Sequence, residues 1–256
     1  MEIGTFEIVI SILGGFIAGS INTLAGNGSA ITLSILTEVL GLPGGMANGS
    51  NRVGVFAQGL TSNFAFIQNK KLDISKSKHI IILVCIGAVA GVLMAVRVSN
   101  EQFMFVFKVL ITILFFVVLI KPKRWLVASN IEKDLSPFLY VPLFLGIGFY
   151  GGFIQMGMGV IFLAAMVLVA RYNIIDANAV KAFVVFLYTI IVIGIFQIKG
   201  LIDWKLGSII AIGQALGGYL TAQFASKYKN ADIWAYRLLV VIMVFVILKT
   251  YNIISW

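Results

Sequence analysis

The sequence predicts an all-α polytopic membrane protein, built as two homologous repeats of 4–5 membrane segments each, 8–10 in total, with short broken or re-entrant helices. Three observations carry this. Of the 256 residues, 60% are hydrophobic and 11% charged, with a mean hydropathy of +1.04, whereas soluble domains carry about 25% charged residues. The apolar residues fall in long continuous runs, not the short alternating segments of a β-barrel. Stretches of the first half recur, in the same order, in the second.

The runs lie at 5–25, 29–42, 46–68, 79–98, 102–120, 137–156, 159–172, 176–198, 206–225 and 232–250. Most approach 20 residues, enough to cross the hydrocarbon core as helix. The runs 29–42 and 159–172 hold about 14 residues, roughly 21 Å of helix, and such short segments are re-entrant or broken elements. Trp125, Trp204, Trp234 and Trp256 lie at run edges or in loops, as an interfacial belt requires.

The two short runs occupy matching places. "GFIAGSINTLAGNG" (15–28) matches "GFYGGFIQMGMG" (148–159), with two extra residues in the first copy. "MANGSNRVGVFAQG" (46–59) matches "DANAVKAFVVFLYT" (176–189), and "IGAVAGVLMA" (86–95) matches "IGQALGGYLT" (212–221). The chain divides into a first membrane repeat (1–120), a cytoplasmic linker (121–136) and a second repeat (137–256), together one integral membrane domain.

The net charge of +9 gathers in short loops, at Lys70, Lys71, Lys76, Lys78 and at Lys121, Lys123, Arg124, Lys133. That is the positive-inside signature, and without a folded soluble domain it gives no reason to expect nucleic acid. Both cationic loops belong in the cytoplasm. If 5–25 and 29–42 form a hairpin, each repeat has five segments and the halves are inverted. If they make one interrupted crossing, each has four spans and the halves are parallel. The inverted arrangement is preferred. The N-terminus lacks the positive region of a cleavable signal and reads as a first membrane segment. The single cysteine, Cys85, reads as a buried small hydrophobe.

The break after the first run, "NTLAGNGSAIT", concentrates Asn22, Gly26, Asn27, Gly28 and Ser29. It begins like a dinucleotide fingerprint, but no strand precedes it and Ile31 stands where the last glycine belongs. Glycine permits positive φ and close backbone approach. The amides opening the next helix are free of intrahelical partners and suit an anion. The second copy offers Gln155, Gly157 and Gly159. A surface loop or close helix packing is the competing explanation; the duplication argues against it.

Cations and amides open the following runs. Asn48, Ser50, Asn51 and Arg52 stand on the first, Asn178 and Lys181 on the second, with Arg52 and Lys181 within one position of each other when Ala47 and Ala177 are aligned. Snorkelling to headgroups is one reading. The polar company of Arg52 favours an interior cavity, where it would give bidentate bonds to an oxyanion and Lys181 a point charge. Lys108 and Arg237 lack such company and are expected to snorkel. Asn63, Tyr188, Gln197 and Gln214 are weaker cavity candidates. Apart from Glu7, Asp176 and Asp232 in the opening residues of their runs, Glu38 is the one acid within an apolar run, and the one histidine, His79, is expected at the surface. No paired carboxylates, His/Cys cluster or nucleophile–base pair can be assembled inside the membrane, so enzymatic and metal chemistry are disfavoured. A proton-coupled mechanism would need Glu38, a lysine or a tyrosine to take the proton.

"GFIAGSINTLAGNGSA", "LGLPGGMANGSNRVGV" and "IGAVAGVLMA", with their second copies, resemble the sulfite exporter TauE/SafE family over about residues 10 to 250. The resemblance implies a multi-pass transporter of the plasma (inner) membrane that moves small sulfur-containing anions such as sulfite or sulfonates. No cofactor is expected; the partners are the anionic substrate and the bilayer. Relatives tend to carry more glycines and a proline after the break, where this chain has Ser29, Ala30 and Thr32-Leu33-Ser34. An anion channel, a permease for non-sulfur organic anions, and a membrane scaffold or enzyme subunit are the competing readings.

Overall fold

The computed structural model describes residues 4–97, 137–153 and 155–228, with isolated positions at 116 and between 230 and 248. The described elements are helical: α1 (Thr5–Leu24), α2 (Ser29–Ser34) running into a π-helical turn (Ile35–Val39), α3 (Gly44–Gln68), α4 (Ile74–Ala95), α5 (Pro137–Phe153), α6 (Met158–Ala164) running into a second π-helical turn (Ala165–Val169), α7 (Ile174–Ile198) and α8 (Trp204–Lys227). The run 102–120 apart from Phe116, the linker, Lys108, Trp125 and Trp256 lie outside the described residues, as does the side chain of Glu38.

Three helix starts have a local cause. Asp73, Asn173 and Asp203 cap α4, α7 and α8, their side-chain oxygens accepting from the amides of Lys76, Asp176 and Leu206 at 3.1, 2.8 and 2.9 Å. The Asp73 cap starts α4 five residues before the apolar run at 79. Lys76 and Lys78, expected in a loop, therefore stand exposed on the first turns of a helix. His79 is exposed, as expected, and Cys85 is half-buried.

The succession of elements is the same in both halves, down to backbone detail. Each π turn closes on the next loop in the same way: Leu40 and Leu42 donate to Ile35 and Leu36, Ala170 and Tyr172 to Ala165 and Met166, at 2.8–3.0 Å. Left-handed residues recur at Gly26 and Gly157, at Gly41 and Arg171, and at Lys70 and Gly200.

The two short elements fold back. Ile35 on the π turn after α2 meets Gly14 of α1, and Gly28 meets Ala18. In the second half Phe162 of α6 packs edge-on against Phe144 of α5, with ring centroids 6.3 Å apart. Each short element thus packs back against the helix before it. Helices α3 and α7 run antiparallel: Asn63 Nδ2 donates to the Ala182 carbonyl at 3.2 Å, the rings of Phe56 and Phe186 stack at 5.1 Å, and Gly49 meets Leu201. Loop contacts follow suit, with Ser77 hydrogen-bonded to Tyr172 and the Asp203 amide to Ser50.

Packing across the halves is reciprocal. The first helix of one half lies on the last fully described helix of the other: α1 on α8 through Gly15, Gly19, Gly213 and Gly217, and α5 on α4 through Gly148, Gly152, Gly87 and Gly91. Each pair is spaced by four residues, the small-residue spacing that lets membrane helices touch backbone to backbone. Among the described residues, α1, α4 and α7 are long and apolar enough to span a bilayer. Helix α3 is as long but carries Ser50, Asn51, Arg52, Gln58 and Asn63, all buried. The outer surface is apolar, with Leu13, Ile17, Leu60, Phe64, Ile82, Ile86, Ile190 and Leu216 exposed, as lipid contact requires.

Candidate functional site

The two hairpin tips meet backbone to backbone. Gly26 (φ +82°) and Gly157 (φ +77°) make the turns out of α1 and into α6. Gly26 lies directly on Gly159, so close that a Cβ on either would overlap the other's main chain. Gly28 is equally tight against Ala18 and Asn22. Glycine is required here by conformation at one position and by contact at the next. The first turns of α2 and α6 are tightened: Ala30 and Ile31 donate to Asn27 and Gly28, and Met158 and Val160 to Gln155 and Gly157, at 3.0–3.2 Å. Fewer amides are thus left for an anion than the sequence predicts.

The cations grip these tips crosswise. Arg52, on α3 of the first half, reaches the end of α5 in the second. Its Nη1 donates to the Gly151 carbonyl at 3.1 Å and to Gln155 Oε1 at 2.6 Å, and Nη2 donates to the Gly152 carbonyl at 3.3 Å. Lys181, on α7 of the second half, reaches the end of α1 in the first. Its Nζ donates to the carbonyls of Asn22 and Thr23 at 2.7 and 3.0 Å and to Asn178 Oδ1 at 2.5 Å. Asn178 in turn donates to the Leu24 and Ile174 carbonyls, each at 3.0 Å. Each cation caps the C-terminal, negative end of a broken helix.

These contacts amend the expected roles. On sequence alone, Arg52 offers a bidentate fork and Lys181 a point charge to an anion. Lys181 has spent all three of its donors on the protein. Arg52 has spent three of five, and its Nε is buried without a partner. Neither cation is solvated, with Arg52 at 0% and Lys181 at 4% exposure, so neither snorkels. Among the described residues no Asp or Glu is buried and neither cation has an acidic partner.

A small cavity lies between the tips. Asn22, Gln58, Gln155, Gly159 and Lys181 form its polar side, and Val55, Ala182 and Val185 its apolar side. It has room for little more than a water molecule. Asn22 Nδ2 donates to Gln58 Oε1 at 2.8 Å, and Gln58 Nε2 to Thr23 Oγ1 at 3.1 Å. Opposite, Gln155 Oε1 accepts both Arg52 Nη1 and the Tyr188 hydroxyl, the latter at 2.8 Å. Gln155 itself stands in the left-handed region, at φ +68°.

The remaining candidates divide. Asn51 faces away from the cavity, its Oδ1 accepting from Thr32 Oγ1 at 2.6 Å and Gln214 Nε2 at 3.4 Å. Ser50 holds the loop before α8 by accepting from the Asp203 amide at 2.8 Å. Asn48 is half-buried with an unpaired Oδ1, and Asn27 also keeps a buried, unpaired Oδ1. Ser29 is buried behind the tip, its carbonyl taking the Thr32 hydroxyl. Gln197 is spent at a helix end, where it accepts from Trp204 Nε1. Arg237 is exposed and stacks on Trp234, 5.6 Å from the ring centre. Gln58 and Thr23 were not singled out from the sequence. Gln58 had a signal: alignment of Ala47 with Ala177 sets it opposite Tyr188.

Comparison with known proteins agrees with the sequence resemblance. The family model described as sulfite exporter TauE/SafE matches residues 11–250. The chain is 29% identical over 249 residues to the "Probable membrane transporter protein" of Haemophilus influenzae, covering 96% of this chain and 94% of that one. It is 28% identical over 221 residues to the "Probable membrane transporter protein ORF9" of Sinorhizobium sp, covering 84% and 80%. It is 22% identical over 261 residues to the "Probable membrane transporter protein YunE" of Bacillus subtilis, covering 93% and 96%. No solved structure gives a significant match.

Proposed function

The chain belongs to the sulfite exporter TauE/SafE family of membrane transporters, and from that premise we propose that it is a secondary transporter of a small sulfur-containing anion, such as sulfite or a sulfonate, working by alternating access in the plasma membrane. The observation that carries the anionic half of this reading is the pair of buried cations. A helix C-terminus supplies only about half an elementary charge, so among the described residues Arg52 and Lys181 leave the space between the tips net positive. An uncompensated charge inside a membrane protein is costly and marks a functional pathway, and a bound anion would complete the balance.

The carrier half rests on the hairpins. Reciprocal packing, antiparallel α3 and α7, and fold-back of both short elements support two inverted repeats whose re-entrant tips enter from opposite faces. Binding sites at such repeat interfaces are a recurring transporter device. The tips close the path with backbone contact, which favours an occluding carrier over an open anion channel. The substrate would sit among Asn22, Gln58, Gln155, Gly159 and Lys181, with Gly26, Gly157, Asn178, Arg52 and Tyr188 shaping the surround.

Proteoliposomes loaded with a panel of sulfite, thiosulfate, sulfonates and carboxylates, with and without a proton gradient, test the proposal. Saturable flux of sulfur oxyanions, accelerated by trans substrate, is the expected result. Flux that does not saturate would replace the carrier with a channel, and preference for carboxylates would remove sulfur from the reading.

A further inference from the structure

We propose that the side chain of Gln155 is a displaceable plug in the seat of the transported anion, and that Arg52 Nη1 and the Tyr188 hydroxyl are the donors the anion takes over. The proposal rests on the anion-transport reading above and names the groups that would bind.

The geometry is that of a ligand already in place. A guanidinium and a phenol converge on one oxygen, Gln155 Oε1, at 2.6 and 2.8 Å. Two donors on one acceptor, one of them charged, make a seat for an oxyanion oxygen. A carboxamide is the neutral isostere of a carboxylate, so it fits that seat without filling its charge. Arg52 still has donors to give: its Nε is fully buried and unpaired, and a guanidinium carries five N–H bonds of which three are spent. An amide brings a single oxygen, whereas a sulfite or carboxylate brings acceptors for the rest.

Gln155 is also the lining group best placed to leave. The cavity cannot take a polyatomic anion beside its present walls. Lys181, Asn22 and Gln58 are each tied to the end of α1 or to one another. Among the described residues Gln155 Nε2 donates no hydrogen bond, so the side chain is held by its oxygen alone. Its main chain is in the left-handed region, at φ +68°, a strained conformation for a residue with a Cβ. Strain of that kind collects at ligand clamps and switches. An incoming anion that takes the two donors frees the residue to relax.

The test is thermal stability of the purified full-length chain titrated with sulfite, with methanesulfonate and acetate as further probes, in wild type, Gln155→Gly, Gln155→Asn and Gln155→Glu. Glycine and asparagine both tolerate left-handed φ, so these variants remove or shorten the plug without adding strain. Removing the competing oxygen is expected to lower the half-saturating sulfite concentration about tenfold in Gln155→Gly, and in the same direction in Gln155→Asn. In Gln155→Glu the carboxylate fills the seat, and sulfite stabilisation should weaken by tenfold or more. If wild type is stabilised by sulfite but Gln155→Gly binds it no better or more weakly, Gln155 is an ordinary ligand and the plug is overturned while anion transport stands. If no probe stabilises wild type or Gln155→Gly, both readings fall.

Discussion

At the scale of single residues, Arg52 and Lys181 occupy equivalent helices but have unequal reserves. Lys181 gives every hydrogen it has to Asn22, Thr23 and Asn178, so its contribution to an anion is charge at a distance. Arg52 keeps two donors, which makes it the cation able both to hold a tip and to touch a ligand. Arg52→Lys should therefore be damaging despite conserving charge: one ammonium cannot serve two carbonyls, Gln155 and an anion at once. Flux in proteoliposomes is expected to fall more than tenfold, with the protein still monodisperse. Flux within twofold of wild type would show that charge alone suffices. Lys181→Met keeps the length of the side chain and deletes the cap. It leaves the Thr23 carbonyl and the Asn178 amide oxygen without the Lys181 donor, and the Asn22 carbonyl with main-chain amide donors alone, at a cost of about 3 kcal/mol. A melting temperature in detergent unchanged from wild type would contradict that assignment.

At the scale of elements, the glycine-bearing hairpin tips are the joint on which the two halves bear. Gly26→Ala adds a Cβ at φ +82° that also overlaps the Gly159 main chain. The backbone penalty alone is roughly 1–2 kcal/mol, and the overlap should keep the tips apart. The expected outcome is a lowered melting temperature and loss of saturable flux. Gly194→Ala is the matched control: it lies within α7 with open space around it, and should gain up to about 1 kcal/mol. If both variants behave alike, tip contact has no special role. Much of this level was legible in the sequence. Hydrophobic runs located the elements because lipid imposes a length on every crossing, and the shortness of 29–42 and 159–172 marked the hairpins. The starts of α4, α7 and α8 were missed by a few residues, because an Asp or Asn cap lets a helix begin in polar sequence ahead of the apolar run. Gln58 carries no motif, and its alignment opposite Tyr188 gives it no role by itself. Its meaning comes from Asn22, 36 residues away in the chain and 2.8 Å away in space. The crosswise reach of the cations was likewise invisible, since sequence alignment sets Arg52 beside Lys181 and says nothing of which half each one grips.

At the scale of the whole molecule, the arrangement of the halves decides how access alternates. Equivalent segments of inverted repeats face opposite sides of the membrane; those of parallel repeats face the same side. The contacts favour inversion. The start of α3 sits with the loop between α7 and α8, through the Ser50 hydroxyl and the Asp203 amide. The loop before α7 sits with the start of α4, through Tyr172 and Ser77, beside the lysines 70, 71, 76 and 78. Those lysines belong on the cytoplasmic face by the positive-inside rule. The start of α3 should then face outward and the start of α7 inward. In a Cys85→Ser background, Gly44→Cys and Arg171→Cys report the two positions. Gly44 is exposed with nothing packed against it, and Arg171 is half-buried in the loop ahead of α7. A membrane-impermeant maleimide added to intact cells should label Gly44→Cys and spare Arg171→Cys, and permeabilisation should expose the latter. Labelling of both from one side would require parallel repeats. The crosswise cation grips would then need another explanation, because Arg52 and Lys181 would approach the tips from the same face.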